Sequence, residues 1–139
     1  MEIIANTLQV VPANQNVYFT DTVVRGGCSI NHRSNSGLVT IKGVTNQCRA
    51  RYRAIFSANI AIPDGETVGP IQMSLSLDGE PLSSSTMIVT PAAVEEFFNV
   101  FGISFIDVPQ GCCLTISAKN TSDIPINVQN ANLVIERVA

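Results

Sequence analysis

Hydrophobic and polar residues alternate in short runs along most of this chain, and residues that favour turns separate the runs. The cleanest run covers residues 48–62, where every even position is apolar and the odd positions begin with three arginines. Successive side chains of a strand point to opposite faces, so this run predicts a strand with one buried face. Nine or ten such runs, with turn residues about every 8–12 positions, predict an all-β antiparallel sandwich or barrel of about ten strands.

Residues 96–108 depart from clean alternation and hold four of the six phenylalanines. As a strand, this stretch places Phe97, Phe101 and Phe105 on one face and Phe98 on the other. Neither face is polar throughout, whereas a strand with one solvated face alternates cleanly. We therefore expect this strand to be covered on both sides, by a second sheet, by another subunit, or by both.

The three arginines that open the run at 48–62, Arg49, Arg51 and Arg53, leave two interpretations open. They form either a solvated outer face or the basic half of ion pairs with acidic groups on a neighbouring subunit. Charged residues make up only 14% of the chain, well below the usual value of about 25%. Sparse charge favours a surface that is partly hidden in an oligomer, although abundant Ser, Thr, Asn and Gln also lower the charged fraction.

The length of 139 residues predicts one domain spanning 1–139. A net charge of −3 disfavours nucleic acid as a partner, because binding phosphates requires many Lys and Arg. No apolar run is long enough to predict a membrane span. Residues 1–7 lack the basic and apolar regions of a secretory signal, so we expect a protein made in the cytoplasm that stays there or leaves by assembly or lysis.

The cysteines, Cys28, Cys48, Cys112 and Cys113, are expected to be reduced thiols. A disulfide between Cys28 and Cys48 is the alternative. The single histidine, His32, lies between those two residues, but the paired spacing of a zinc site is absent.

Acidic residues at 64–66 are too few for a calcium loop, and we find no triad order, nucleophile elbow or phosphate loop. We therefore expect no enzymatic activity, no cofactor and no metal.

Four segments together resemble the C1q/tumour-necrosis-factor-like family: residues 51–56, 73–79, 108–116 and 132–137. They carry an aromatic alternating strand, an alternating strand ending in Asp-Gly, a strand pair joined by Pro-Gln-Gly, and a hydrophobic terminal strand. The resemblance extends to the short domains of phage structural and bacterial spore-surface proteins. It implies a ten-strand antiparallel jelly roll that assembles as a homotrimer, with one apolar sheet face at the threefold axis.

Given that resemblance, we predict a trimer interface formed by Phe97, Phe98, Phe101, Phe105, Leu133 and Ile135. The corresponding function is a non-enzymatic structural protein on the outside of a particle, namely a phage capsid decoration or fibre-head protein that contacts a capsid or fibre protein in the virion. One alternative is a spore-surface (exosporium) protein. Another is a glycan- or receptor-binding module that uses two polar loops, whose candidate residues are Asn31, His32, Arg33, Ser34, Asn35, Glu80, Ser83 and Ser84.

Overall fold

The computed structural model describes residues 1–139, which form twelve strands and one short 3-10 helix at Ser83–Ser85. In chain order the strands are β1 (Glu2–Ala5), β2 (Gln9–Val11), β3 (Asp21–Val24), β4 (Ile30–His32), β5 (Val39–Lys42), β6 (Arg49–Ala61), β7 (Ile71–Leu77), β8 (Glu80–Pro81), β9 (Met87–Val89), β10 (Phe98–Pro109), β11 (Cys113–Asn120) and β12 (Ile126–Arg137). No helix is long and apolar enough to span a membrane.

The strands form two six-stranded sheets with antiparallel pairing throughout. Sheet A has the order β10-β6-β12-β1-β3, with β2 also paired to β12. Sheet B has the order β4-β5-β11-β7-β8, with β9 also paired to β7. This architecture confirms the predicted all-β antiparallel sandwich.

The inner faces of the two sheets enclose a core cluster of 29 buried residues. Strand β6 supplies Tyr52 and Phe56 from its predicted apolar positions, and both are fully buried. The Phe56 ring packs edge-to-face against Phe19 at a centroid distance of 6.5 Å. The buried Tyr52 hydroxyl donates a 2.6 Å hydrogen bond to the carbonyl of Lys42, which satisfies its polar group.

A break and a bulge interrupt two stretches of sheet A. Residues 3–11 form two strands, β1 and β2, which pair with different parts of β12. Residues 126–137 form the single strand β12, with a bulge between Gln129 and Asn132. At its centre Asn130 has a φ of +54°, which lets the chain absorb the extra residues and continue.

Thr90 and Pro91 are residue types typical of a helix start, but no helix begins there. Glu95 has a φ of +58°, a left-handed conformation that stops a right-handed helix after its first turn. The segment instead turns the chain into β10, which begins at Phe98.

Strand β10 is the edge of sheet A and pairs along its whole length with β6 alone. Its inner face supplies Val100, Ile106 and Val108 to the core. On the same face Gly102 leaves room for a neighbouring segment, since a Cβ there would lie 3.0 Å from the Met87 side chain and 3.1 Å from the Ser85 carbonyl oxygen. The missing side chain lets the 3-10 helix and β9 close against the edge of the sandwich.

Candidate assembly face

The outer face of sheet A carries an apolar patch built by strand register. Ile103 of β10 lies opposite Ile55 of β6, and Ile55 lies opposite Val134 of β12. On either side of this row, β10 adds Phe101 and Phe105, whose surfaces are 59% and 60% exposed. Aromatic side chains of this size are normally buried, so their alignment on one exposed face makes it a candidate interaction surface.

A charged cluster borders this patch at the end where β6 begins. Arg51 donates two hydrogen bonds to Asp107, of 2.8 and 3.0 Å, and the Arg49 guanidinium lies 3.1 Å from the same carboxylate. Arg53 forms an ion pair with Glu136.

These contacts change the acid–base behaviour of the cluster. The hydrogen bonds from Arg51, aided by the positive charges of Arg51 and Arg49, hold the pKa of Asp107 below its ordinary value against a smaller opposing effect of desolvation. The same hydrogen bonds raise the pKa of Arg51. The carboxylate of Asp107 is therefore favoured in its ionised form by the fold.

Amide side chains border the patch at its other end. The Asn99 side chain donates a 3.3 Å hydrogen bond to the Asn59 side-chain oxygen directly across the β10–β6 pair. The outer face of sheet A therefore has an apolar centre between a charged margin and an amide margin. This is the arrangement of a protein–protein interface, in which an apolar core is surrounded by a polar rim.

The outer face of sheet B has the opposite character. Strands β5 and β11 place the half-exposed Thr40, Lys42, Thr115 and Lys119 on this face, and β7 adds Gln72. Three serines on the same side of these strands are buried, namely Ser74, Ser76 and Ser117. The Lys119 ammonium donates a 3.1 Å hydrogen bond to the carbonyl of Gly79, in the turn after β7. One large apolar side chain, Ile88 of β9, is exposed on this face opposite Gln72. Apart from Ile88, the side chains that reach water from these strands are polar.

The structure corrects part of the predicted interface. Leu133 and Ile135 are 0% and 1% exposed and belong to the core, so the expectation that they face outward is wrong. Strand β12 lies between β6 and β1, and its inner face must fill the sandwich. Val134, which separates the two, is the residue that reaches the outer face.

The four predicted phenylalanines also divide between the faces. Phe97, Phe101 and Phe105 are exposed. Phe98 is half-buried and lies opposite Ile60, a core residue, so it belongs to the inner face of β10.

Part of each interpretation of the arginines agrees with the structure, since they are partly exposed and also form ion pairs. They lie on the outer face, but their acidic partners, Asp107 and Glu136, belong to neighbouring strands of the same chain. The sequence signal for this pairing was Asp107 on the exposed parity of its strand, opposite Arg51.

The two predicted recognition loops lie at opposite edges of sheet B, since one follows β4 and the other accompanies β8. Glu80, Ser83 and Ser84 are exposed at the β8 edge. Arg33 and Asn35 are exposed in the other loop. The structure therefore does not join the two loops into one site.

Three residues of the first loop, Asn31, His32 and Ser34, line an open polar cleft of about 570 Å³. The cleft is also lined by two charged residues, Asp21, which begins β3, and Arg25, which follows that strand. His32 donates from Nε2 to the carbonyl of Ser36 at 2.9 Å, and its Nδ1 is buried without a hydrogen-bond partner. The cleft thus combines acidic, basic, amide and hydroxyl groups in one concave surface.

All four cysteines are free thiols, so the alternative of a Cys28–Cys48 disulfide is not realised in the structure. The structure places no group of three or more His, Cys, Asp or Glu side chains where they could hold a metal ion.

Comparison with solved structures identifies the fold. The chain is similar to the globular domain of zebrafish complement 1qA, with 14% sequence identity, coverage of 99% of this chain and 95% of that one, and a TM-score of 0.72. It is also similar to murine APRIL, with 13% identity, coverage of 96% and 98%, and a TM-score of 0.51. No protein-family profile and no curated protein sequence matches the chain. The fold is a C1q/tumour-necrosis-factor-like jelly roll, which confirms the prediction made from the sequence.

Proposed function

We propose that this protein is a non-enzymatic structural module that forms a homotrimer through the outer face of sheet A and is displayed on the outside of a particle. One observation carries the proposal. The two sheets share one core, yet the outer face of sheet B exposes polar side chains with the single large apolar Ile88, while that of sheet A has an apolar patch formed by Phe101, Ile103, Phe105, Ile55 and Val134.

Covering this patch supplies the free energy for assembly. Full burial of an aromatic or branched aliphatic side chain stabilises by about 1.5–3 kcal/mol, and Phe101 and Phe105 have more than half of that gain still available. Several such side chains together offset the cost of bringing chains together. The polar margins would then form the rim that keeps the assembled surface soluble.

The patch also has the form that a closed ring requires. A ring of three copies uses two different surfaces on each chain, because each copy contacts the next head to tail. Strand β10 supplies an edge with Phe101 and Phe105, whereas Ile55 and Val134 lie on interior strands of the sheet. The number three itself comes from the family resemblance, which implies a homotrimer.

Native mass spectrometry of the full chain at micromolar concentration tests the assembly. We expect a species of three times the chain mass of 14.9 kDa. A single-chain species alone would overturn the proposal.

Within the particle, we propose the role of a phage capsid decoration or fibre-head protein in the virion, with a spore-surface protein as the alternative. Support comes from the resemblance to short domains of both kinds and from a polar sheet B that would remain outward after assembly. Immunogold labelling of purified virions and spores distinguishes the two locations. Absence of label from both particles would reject the display role while leaving the trimer standing.

A second candidate function is recognition of a glycan or a glycosylated receptor at the polar cleft beside His32. The cleft favours it because a saccharide presents many hydroxyl donors and acceptors, and Asp21, Arg25 and Asn31 offer both types of partner. A glycan array with the wild type and an Asn31→Ala variant tests this function, with Ser84→Ala at the opposite edge as control. Binding that Asn31→Ala abolishes and Ser84→Ala retains would support it, and an array without signal would count against it.

A further inference from the structure

The four cysteines, far apart in sequence, converge on one end of the sandwich. At this end β6 begins next to Cys48 and β10 leads into the turn before Cys112. The Gln110 amide donates a 3.0 Å hydrogen bond to the carbonyl of Cys48, and the Gly43 amide donates a 2.9 Å bond to the carbonyl of Cys112. Backbone contacts thus connect the segments that carry the thiols, and we call this region the cysteine end.

Cys28 and Cys113 belong to the sheet B side of the cysteine end, and both are exposed free thiols. Cys113 lies opposite Lys42 in the β11–β5 pair. On the other side of Lys42, the neighbouring strand continues with Ser29, whose carbonyl accepts a 2.9 Å hydrogen bond from the Lys42 amide. Lys42 therefore lies between the two cysteine-bearing strands.

This register prevents a bridge between Cys28 and Cys113 of the same chain. Adjacent strands are about 4.8 Å apart, so the backbones at Cys28 and Cys113 are separated by roughly 10 Å. A disulfide requires Cα atoms within about 7 Å, and the hydrogen bond from Lys42 to Ser29 holds the segment after Cys28 in place. Cys112 is no better partner for Cys113, because it is half-buried and packs against the core while Cys113 is exposed.

We propose that the cysteine end is a site of intermolecular disulfide formation, at which Cys28 and Cys113 couple one copy of this chain to another. Both thiols are accessible, neither can bridge to the other within its own chain, and both lie on the sheet B side of the cysteine end. The proposal rests on the proposed function in one respect: if trimers form through sheet A, these bonds connect one trimer to the next.

The oxidant is a small-molecule disulfide such as oxidised glutathione, and the chemistry is thiol–disulfide exchange. A cysteine sulfur of one copy attacks the glutathione disulfide, which forms a mixed disulfide and releases one glutathione thiol. A cysteine sulfur of a second copy then attacks the protein sulfur of that mixed disulfide, which forms the interchain bond and releases the second glutathione. Two protein thiols are oxidised, two glutathione sulfurs are reduced, and the two protons end on the glutathione thiols.

The full chain, reduced and desalted, is incubated with oxidised glutathione, quenched with an alkylating reagent and separated by denaturing electrophoresis without reductant. We expect a covalent two-chain band that dithiothreitol removes, with Cys28 or Cys113 in every crosslinked peptide. The double variant with Cys28→Ser and Cys113→Ser should lose the band, whereas Cys48→Ser, the matched control at the same end, should retain it.

Three results would overturn the proposal: glutathione adducts on single chains only, an intrachain bridge only, or a two-chain band that persists in the double variant. Repeating the oxidation with the Phe101→Asp variant shows whether disulfide formation depends on the trimer. A two-chain band in a variant that no longer forms trimers rejects only the link between the two. Trimers without any band reject only the disulfide.

Discussion

The outer faces of sheets A and B occupy equivalent positions in one sandwich, yet they differ in composition. The fold needs only the inner faces to be apolar, and both sheets meet that need. The outer face of sheet B exposes Thr, Gln and Lys side chains with one large apolar residue, Ile88, whereas sheet A exposes Phe101, Ile103 and Phe105. Because the core does not require those apolar residues, they make the outer face of sheet A the candidate surface for association.

The same contrast between core and outer face occurs between two consecutive residues of one strand. On β12, Leu133 is fully buried in the core, and Val134, the next residue, belongs to the outer face beside Ile55. Introducing a charge should therefore unfold the protein at Leu133 but only prevent association at Val134.

Leu133→Asp is the change with the largest expected effect. A carboxylate in the core has no partner to compensate its desolvation, so we expect a loss of several kcal/mol and an unfolded or insoluble protein. Val134→Asp should keep the strand signal in circular dichroism and lose association. Equal unfolding by both variants would show that the outer face of β12 is also required for the fold.

Phe101→Asp should rank next, because it replaces one of the two most exposed aromatic side chains of the apolar patch with a charge. We expect association to weaken by about a hundredfold or more, the scale of a hot-spot residue, with a folded single chain as the product. Thr40→Asp introduces the same charge on the outer face of sheet B and is the matched control. Light scattering of both variants checks this contrast, and equal masses would remove the distinction between the faces.

Gly102→Ala examines the inner face of β10 and should have a smaller effect. The added methyl would contact the Met87 side chain and the Ser85 carbonyl at about 3 Å, so we expect a destabilisation of roughly 1–3 kcal/mol. Association should remain, since Gly102 does not reach the outer face. Urea unfolding measures this loss of stability. Ser104→Ala on the same strand is the control and should change the urea midpoint little. An unchanged midpoint in Gly102→Ala would show that β9 moves aside without loss of stability.

Asp107→Asn, at the charged margin, should have the smallest effect. The pKa of Asp107 is lowered in the folded chain, first by the hydrogen bonds from Arg51. Its contribution is therefore present above the pKa of the unfolded chain and is lost as the pH falls through the lower folded value.

Urea midpoints between about pH 6 and pH 2 check this dependence. The wild type should lose its advantage over Asp107→Asn in the acid part of that range. A constant difference would show that the Arg51 contact contributes nothing to stability.

Alternation in the sequence predicted the sandwich well, because the buried face of β6 repeats every second residue without interruption. The side chains that reach the outer face of sheet A were predicted less completely. Residues 133–135 are all apolar, but the polar Asn132 and Glu136 share the parity of Val134. The alternation over residues 132–136 therefore already favoured Leu133 and Ile135 as the core side of β12, as the structure has it. The convergence of four cysteines was beyond sequence reasoning, since it depends on which strand ends the two sheets bring together.

Tryptophan fluorescence tests most directly whether the outer face of sheet A is covered in solution, because the chain contains no tryptophan. Phe101→Trp places one reporter on that face, and Thr40→Trp places one on the outer face of sheet B, with masses measured on the same samples. We predict blue-shifted emission and protection from acrylamide for Phe101→Trp, and solvent-like emission with ready quenching for Thr40→Trp. Equal quenching of the two reporters, with both samples at the mass of one chain, would contradict the assignment of sheet A as the assembly face.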